Sequence, residues 1–250
     1  MKINKFNTSK NVFIVAEIGN NHEGSFAVAK DMIRAAADAG VNAVKFQTIV
    51  PELFVSKRNF ERFKKLKSFQ LKYSQFEKLA QFSEKKGVLF CSTPFDLETA
   101  KFLNNIQEFF KISSGDNEFY PLIDQICKFK KPIILSTGLV DIKQIKKIVK
   151  FISNYNFYKK NNLGLLHCVS SYPTDLFEIN LNSIKYLKKY FNNLTIGFSD
   201  HTLGIEAPLF SVACGAEIVE KHFTLDKNYS NFRDHQLSAD PSEMQNLVNR

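Results

Sequence analysis

The sequence predicts an α/β protein, a (β/α)8 barrel of the TIM type. Three observations predict it. A short apolar run, a polar tip and an amphipathic stretch follow one another eight times, the pattern of strands and helices alternating around a parallel sheet. The length, 250 residues, is close to that of one such barrel. Polar side chains gather where the strands end, which is the side of this fold that carries chemistry. A doubly wound open sheet could use the same elements, but no Gly-x-Gly-x-x-Gly follows the first strand.

Residues 12–17 are the first strand, apolar until Glu17. Residues 26–39 form a helix with Ala29, Ile33 and Ala36 on one face, closed by Gly40. Residues 41–47 are the second strand. The stretch that follows, to about Tyr73, reads as an insertion; its charge run from Lys57 to Lys67 interleaves Phe60, Phe63 and Leu66 at helical spacing. Ser74-Gln75-Phe76-Glu77 matches a capping box and opens a helix ending at Gly87. Residues 88–92 are the third strand, and Asp96 caps the next helix. Residues 109–112 and a helix near 121–129 make the fourth unit. Residues 132–136 and the lysine-faced helix 142–152 make the fifth. Strand 163–168 with helix 181–191, strand 195–198 with helix 204–214, and strand 217–222 complete the set. Asp240-Pro241-Ser242-Glu243 supplies a cap, a first-turn proline and a capping-box glutamate for a final helix. Residues 1–250 are read as one domain.

Composition narrows the function classes. Hydrophobic residues at 44% and charged residues at 24% are ordinary for a globular domain, and no run is long enough to span a membrane. No signal-peptide pattern opens the chain. The four cysteines are widely separated and form no Cys-x-x-Cys, so free thiols and a cytoplasmic location are expected. The net charge of +9 raises nucleic-acid binding, but the lysines lie on amphipathic faces, as in residues 142–148, where they read as solvated. No nucleic acid or membrane partner is expected. A positive field also draws in anionic substrates.

The strand ends read Glu17; Lys45 and Gln47; Ser92 and Thr93; Lys111 and Ser114; Ser136 and Thr137; His167; Ser199, Asp200 and His201; Lys221 and His222. Two lysines with several hydroxyls are what a phosphate or carboxylate needs. His201 and His222 stand 21 residues apart at the ends of successive strands and are candidate metal ligands. Two imidazoles leave coordination positions open, which suits a Lewis acid, and Mn2+ fits such an open N/O site. Glu17 is a candidate acid or base. Asp116 and Asp234 sit in loops on the same side, where carboxylates are usually solvated.

The segments 16–24 (AEIGNNHEG), 45–48 (KFQT), 111–116 (KISSGD), 136–138 (STG), 167–174 (HCVSSYPT), 197–202 (GFSDHT) and 220–224 (EKHFT) together resemble the N-acetylneuraminate (sialic acid) synthase family. The resemblance implies a metal-dependent barrel that condenses phosphoenolpyruvate with an N-acyl hexosamine such as N-acetylmannosamine, giving a nine-carbon α-keto acid and phosphate. It implies metal ligation by His201 and His222. It implies phosphoenolpyruvate contacts from Lys45, Thr93, Lys111, Ser114, Ser136 and Ser199, and sugar contacts from Gln47, Tyr172, Asp116 and Asp234. Glu17 matches a glutamate at the reacting centre. Ser170 and Asp116 stand where bacterial members often have Asn and Glu, which leaves the acceptor sugar open. Family members continue into a small antifreeze-like domain, expected to be absent from this chain. A homodimer is compatible with the family. Two other readings compete: a Schiff-base aldolase on the same barrel, with Lys111 or Lys221 as nucleophile, and a truncated barrel that binds ligand without turnover.

Overall fold

The computed structural model describes residues 1–250, apart from the side chains of residues 159 and 160. In chain order the elements are β1 (Lys2–Ile3), β2 (Phe6–Asn7), β3 (Phe13–Gly19), α1 (Phe26–Asp38), β4 (Ala43–Thr48), α2 (Pro51–Phe54), α3 (Phe60–Phe69), α4 (Tyr73–Lys85), β5 (Leu89–Pro94), α5 (Leu97–Leu103), β6 (Phe110–Ile112), α6 (Tyr120–Lys128), β7 (Ile133–Ser136), α7 (Ile142–Ser153), β8 (Leu163–Cys168), α8 (Asn182–Tyr190), β9 (Thr195–Asp200), α9 (Glu206–Ala213), β10 (Ile218–His222), α10 (Arg233–Leu237) and α11 (Pro241–Asn249).

Strands β3 to β10 form one parallel sheet of eight, in the order β5-β4-β3-β10-β9-β8-β7-β6. Its two ends, β5 and β6, lie side by side, so the sheet curls into the expected barrel. At this seam a side chain stands in for the strand ladder: the Ser92 N–H donates to Gln107 Oε1 at 2.8 Å. No helix is long and apolar enough to cross a membrane.

The strand period of two divides every strand between two surroundings. Outward residues such as Ala16, Val44, Phe110, Leu135, Leu165, Ile196 and Val219 pack against the helices. Inward residues Phe13, Val15, Ala43, Cys91, Phe109, Ile134, Leu166 and Ile218 fill the barrel floor. The antiparallel pair β1–β2 plugs that floor from below with Met1 and Ile3, and the Met1 amino group donates to Thr8 Oγ1 at 2.7 Å and Thr195 Oγ1 at 2.8 Å. The interior below the active-site rim is therefore a solid apolar core.

Three local expectations change. Helix α4 opens before Ser74: Lys72 holds the N-cap position, and the Gln75 side chain accepts from the Lys72 N–H at 2.8 Å. The expected box lies two residues late because Tyr73, a first-turn residue, resembles the end of the insertion. The insertion itself contains two helices, α2 and α3. Asp234 lies in the short helix α10, buried at 8% exposure, and Asp116 lies in a 3-10 turn (Ser114–Asp116) with the Ser113 hydroxyl donating to it; neither is a solvated loop carboxylate.

Phe46 on β4 is fully buried between Phe90, at 5.7 Å between ring centres, and Phe76, at 6.4 Å. Phe46→Ala should cost about 3–5 kcal/mol in urea unfolding; a loss within about 1 kcal/mol would show that this layer is not close-packed. His22 sits against the same ring at 5.9 Å and accepts from the Gly24 N–H at 3.0 Å. Its burial lowers its pKa from 6.5 to about 4. Between those values the unfolded chain holds a proton that the folded chain lacks, so stability falls as pH drops from 6.5 towards 4, by about 3 kcal/mol in all. His22→Asn, which keeps an acceptor for Gly24, should flatten that acid limb; an unchanged limb would place its origin elsewhere.

Candidate active site

One step of two residues above the apolar floor, the inward positions become polar. Glu17 follows Val15, Lys45 follows Ala43, Thr93 follows Cys91, Lys111 follows Phe109, Ser136 follows Ile134, Cys168 follows Leu166, Ser199 follows Gly197 and Glu220 follows Ile218. Another step brings Gln47, His201 and His222. All of them line one cavity of about 920 Å³ at the C-terminal mouth of the barrel. Ser114, Asp116, Tyr172 and Asp234 line it too, so the residues that the family resemblance assigns to substrate and metal all reach it.

The layer is held by charge. Lys45 Nζ lies 2.8 Å from Glu17 Oε2 and 3.7 Å from Glu220 Oε2, and Lys111 Nζ lies 3.5 Å from Glu220 Oε1. Lys111 also donates to Ser136 Oγ at 2.7 Å, and Ser199 Oγ donates to Glu220 Oε1 at 2.9 Å. Gln47 Nε2 donates to Glu17 Oε1 at 3.0 Å, and Asn20 Nδ2 to Gln47 Oε1 at 2.9 Å. The two carboxylates are pushed apart in pKa. Burial raises Glu17 above the usual carboxylate range, against the pull of Lys45. Burial also acts on Glu220, but Lys111 and Lys45 outweigh it and hold Glu220 below that range. Two carboxyl groups driven in opposite directions are the usual basis for an acid and a permanent anion in one site.

At the rim, the Tyr172 ring stacks on His201 at 4.0 Å and meets His222 edge-on at 5.9 Å, while the two imidazoles lie 5.4 Å apart. His201 Nδ1 donates to the Val169 carbonyl at 2.6 Å, which leaves Nε2 as the nitrogen able to take a metal when the ring is neutral. His222 Nδ1 is buried with no hydrogen-bond partner among the described residues. Burial, helped by His201 and Lys45, holds the His222 pKa well below 6.5, so the ring is neutral at pH 7. A neutral imidazole with an orphaned nitrogen beside a second one of fixed tautomer fits a metal. Among the described residues no group of three or more His, Cys, Asp or Glu side chains is placed to hold a metal ion, so the two imidazoles would leave the remaining positions to water or substrate. The Gly138 N–H donates to Ser114 Oγ at 3.2 Å, and a Cβ on Gly138 would stand 2.6 Å from Ser170 Oγ and 2.7 Å from Ser114 Oγ, so a side chain there would make both hydroxyls move.

Several rim residues named from the sequence face away from the cavity. Ser92 bonds Thr48 at 2.7 Å, Thr137 donates to the Leu166 carbonyl at 3.0 Å, and His167 bonds the Ile179 carbonyl at 2.6 Å. Lys221 is sealed at 0% exposure between Asp200 Oδ2, at 2.6 Å, and the Thr202 carbonyl, at 2.6 Å. It does not line the cavity and is no Schiff-base nucleophile. The sequence reading missed Glu220, Asn20 and Arg233, and the insertion's Phe54, Arg62, Lys65 and Phe69, which form one cavity wall. Glu220 could have been found by counting back two residues from His222.

Residues 32–250 match the NeuB family. The chain belongs to the NeuB family. Its relatives include an uncharacterized protein of Methanocaldococcus jannaschii, 47% identical over 95% of this chain and 69% of that one. N,N'-diacetyllegionaminic acid synthase of Campylobacter jejuni is 37% identical over 95% of this chain and 75% of that one. The crystal structure of N-acetylneuraminic acid (sialic acid) synthetase from Leptospira borgpetersenii, in complex with citrate, superposes with a TM-score of 0.92 at 36% identity, over all of this chain and 86% of that one. By membership the chain is an enzyme of the sialic-type synthase class.

Lys221→Met should cost about 3–5 kcal/mol in denaturant unfolding, because it strands Asp200 as an uncompensated buried charge. Borohydride should trap no adduct on Lys221 in the folded protein; an adduct there would overturn its assignment as structural.

Proposed function

We propose that the chain condenses phosphoenolpyruvate with an N-acyl hexosamine, N-acetylmannosamine or a relative, to give a nonulosonic acid and phosphate, with a divalent metal, Mn2+, at His201 and His222. The observation that carries this reading is the pairing of Lys45 and Lys111, under hydroxyls from Thr93, Ser114, Ser136 and Ser199, beside two imidazoles able to hold a metal. When bound, the metal would supply Lewis-acid polarisation of the acceptor's aldehyde oxygen.

Lys45 and Lys111 bind the phosphate and carboxylate of phosphoenolpyruvate, with the four hydroxyls completing the anion's hydrogen bonds. In the free site Glu17 and Glu220 balance the two lysines. An arriving anion takes over part of the lysines' charge and adds negative charge next to Glu17, whose pKa burial has already raised, and so favours uptake of a proton by that carboxyl. C3 of the enol forms its bond to the aldehyde carbon, and Glu17 gives its proton to the aldehyde oxygen. As a carboxylate, Glu17 then takes a proton from the water that adds at C2. The C2–O bond to phosphate breaks, phosphate leaves with the electron pair, and the C2 hydroxyl becomes the keto C=O as its proton passes to the departing phosphate. Gln47, Asp116, Tyr172 and Asp234, higher on the wall, orient the sugar.

The test is phosphate release from phosphoenolpyruvate against a panel of N-acyl hexosamines, with Mn2+ and with chelator. Release should require metal and one sugar. His201→Ala and His222→Ala should abolish it, and Glu17→Gln should lower kcat by about 10²–10⁴-fold. Full turnover in chelator, with a borohydride adduct on Lys111, would replace this reading by Schiff-base chemistry.

A further inference from the structure

The turn Asn21-His22-Glu23-Gly24 lines no part of the cavity; of the β3–α1 connection only Asn20 does. Yet two walls of the cavity rest on this turn. The first wall is α3, which presents Arg62, Lys65, Leu66 and Phe69 to the cavity, four positions on one helix face. The second is the segment leading into α10, which presents Asn231, Phe232, Arg233 and Asp234.

The second wall is pinned on both sides of its cavity-facing residues. Glu23 Oε1 accepts from the Ser230 hydroxyl, just before them, and from His235 Nε2 at 3.1 Å, just after. His235 is fully buried, and its Nδ1 pairs with Thr224 Oγ1 at 2.7 Å. Asn21 Nδ2 donates to the Phe223 carbonyl at 2.9 Å and to Ser238 Oγ at 3.0 Å, and Ser238 donates in turn to the Asp234 carbonyl at 2.6 Å. The first wall is seated on the same turn by contact. A Cβ on Gly24 would lie 2.2 Å from the Ser68 carbonyl, so the end of α3 rests on bare backbone. Glu23 and Gly24 both hold positive φ, at 45° and 82°, which sets the turn's direction. The two walls then meet: Phe69 packs on Phe232 at 5.3 Å, and Lys65 stands over the Phe232 ring at 4.7 Å.

We propose that Glu23 is a positioning residue for the acceptor sugar. It fixes residues 230–238 so that Arg233 and Asp234 stand at the cavity wall, and with Gly24 it sets the gap between that wall and α3. The assignment to the acceptor rests on the condensation reading above, since the lysine layer that takes phosphoenolpyruvate is built on β4 and β6 and makes no contact with Glu23. A single carboxylate that accepts from both ends of a cavity-lining segment holds that segment's shape against the entropy of a free loop.

The test uses Glu23→Ala and Glu23→Gln in the whole chain. In Glu23→Ala, amide hydrogen exchange should quicken across residues 230–238 while β3 and β4 keep their protection. The KM for the acceptor should rise about tenfold or more, as expected for losing hydrogen bonds to a charged group, while the KM for phosphoenolpyruvate stays within about twofold. Glu23→Gln keeps an acceptor oxygen for Ser230 and His235 and should restore most of both. Unchanged exchange at 230–238 in Glu23→Ala overturns the proposal, as does a parallel rise in both KM values with faster exchange throughout the barrel. If the wild-type chain releases no phosphate with any sugar, the condensation reading falls, and the exchange result still decides whether Glu23 holds the segment.

Discussion

The structure depends on one balance of charge inside the barrel. Lys45 and Lys111 are buried, and so are Glu17 and Glu220. Removed from water singly, each would carry a desolvation cost of several kcal/mol. Together they neutralise one another and lean on Ser136, Ser199, Thr93 and Gln47 for their remaining hydrogen bonds. The arrangement is tolerable because the floor below is apolar and closed by β1–β2, so nothing beneath competes for the lysines. It is also reactive, since any anion entering from the mouth must displace carboxylates from cations that are already desolvated. Binding and structure draw on the same four side chains.

A second pair shows the other outcome of the same chemistry. Lys221 on β10 and Asp200 on β9 are equally buried, and they make a closed contact that lines no part of the active-site cavity. The difference between a lysine that faces the cavity and one sealed in an ion pair here is which side of the sheet it occupies. Two neighbouring residues, Glu220 and Lys221, thus have opposite fates because a strand turns successive side chains to opposite faces.

That alternation also explains what was legible in the sequence. The barrel could be read, since eight repeats of strand and helix patterns leave few other solutions. The inward lysines, serines and histidines could be read because each ends an apolar run. Glu220 is hidden between Val219 and Lys221, in a strand whose continuous burial masks its two faces and whose tip carries the more conspicuous His222. Lys221 was misplaced for the same reason. The cavity wall built by α3 could not be read, because its cations resemble every other solvated lysine or arginine in a chain of net charge +9. Their position is set by tertiary packing on Gly24 and Phe232, which no local pattern encodes.

The two-residue ladder of inward positions constrains how such a site can change over time. Deleting or inserting one residue within a barrel strand would exchange its inner and outer faces, taking a floor residue and a cavity-lining residue out together and pushing two helix-facing apolar residues into the mouth. Descent with altered specificity is therefore channelled into point replacements on the strands and into length changes in the connections after them. The stretch between β4 and α4 is one such connection: it has room for two helices and a new wall without moving Lys45 or Thr93 by a single register step.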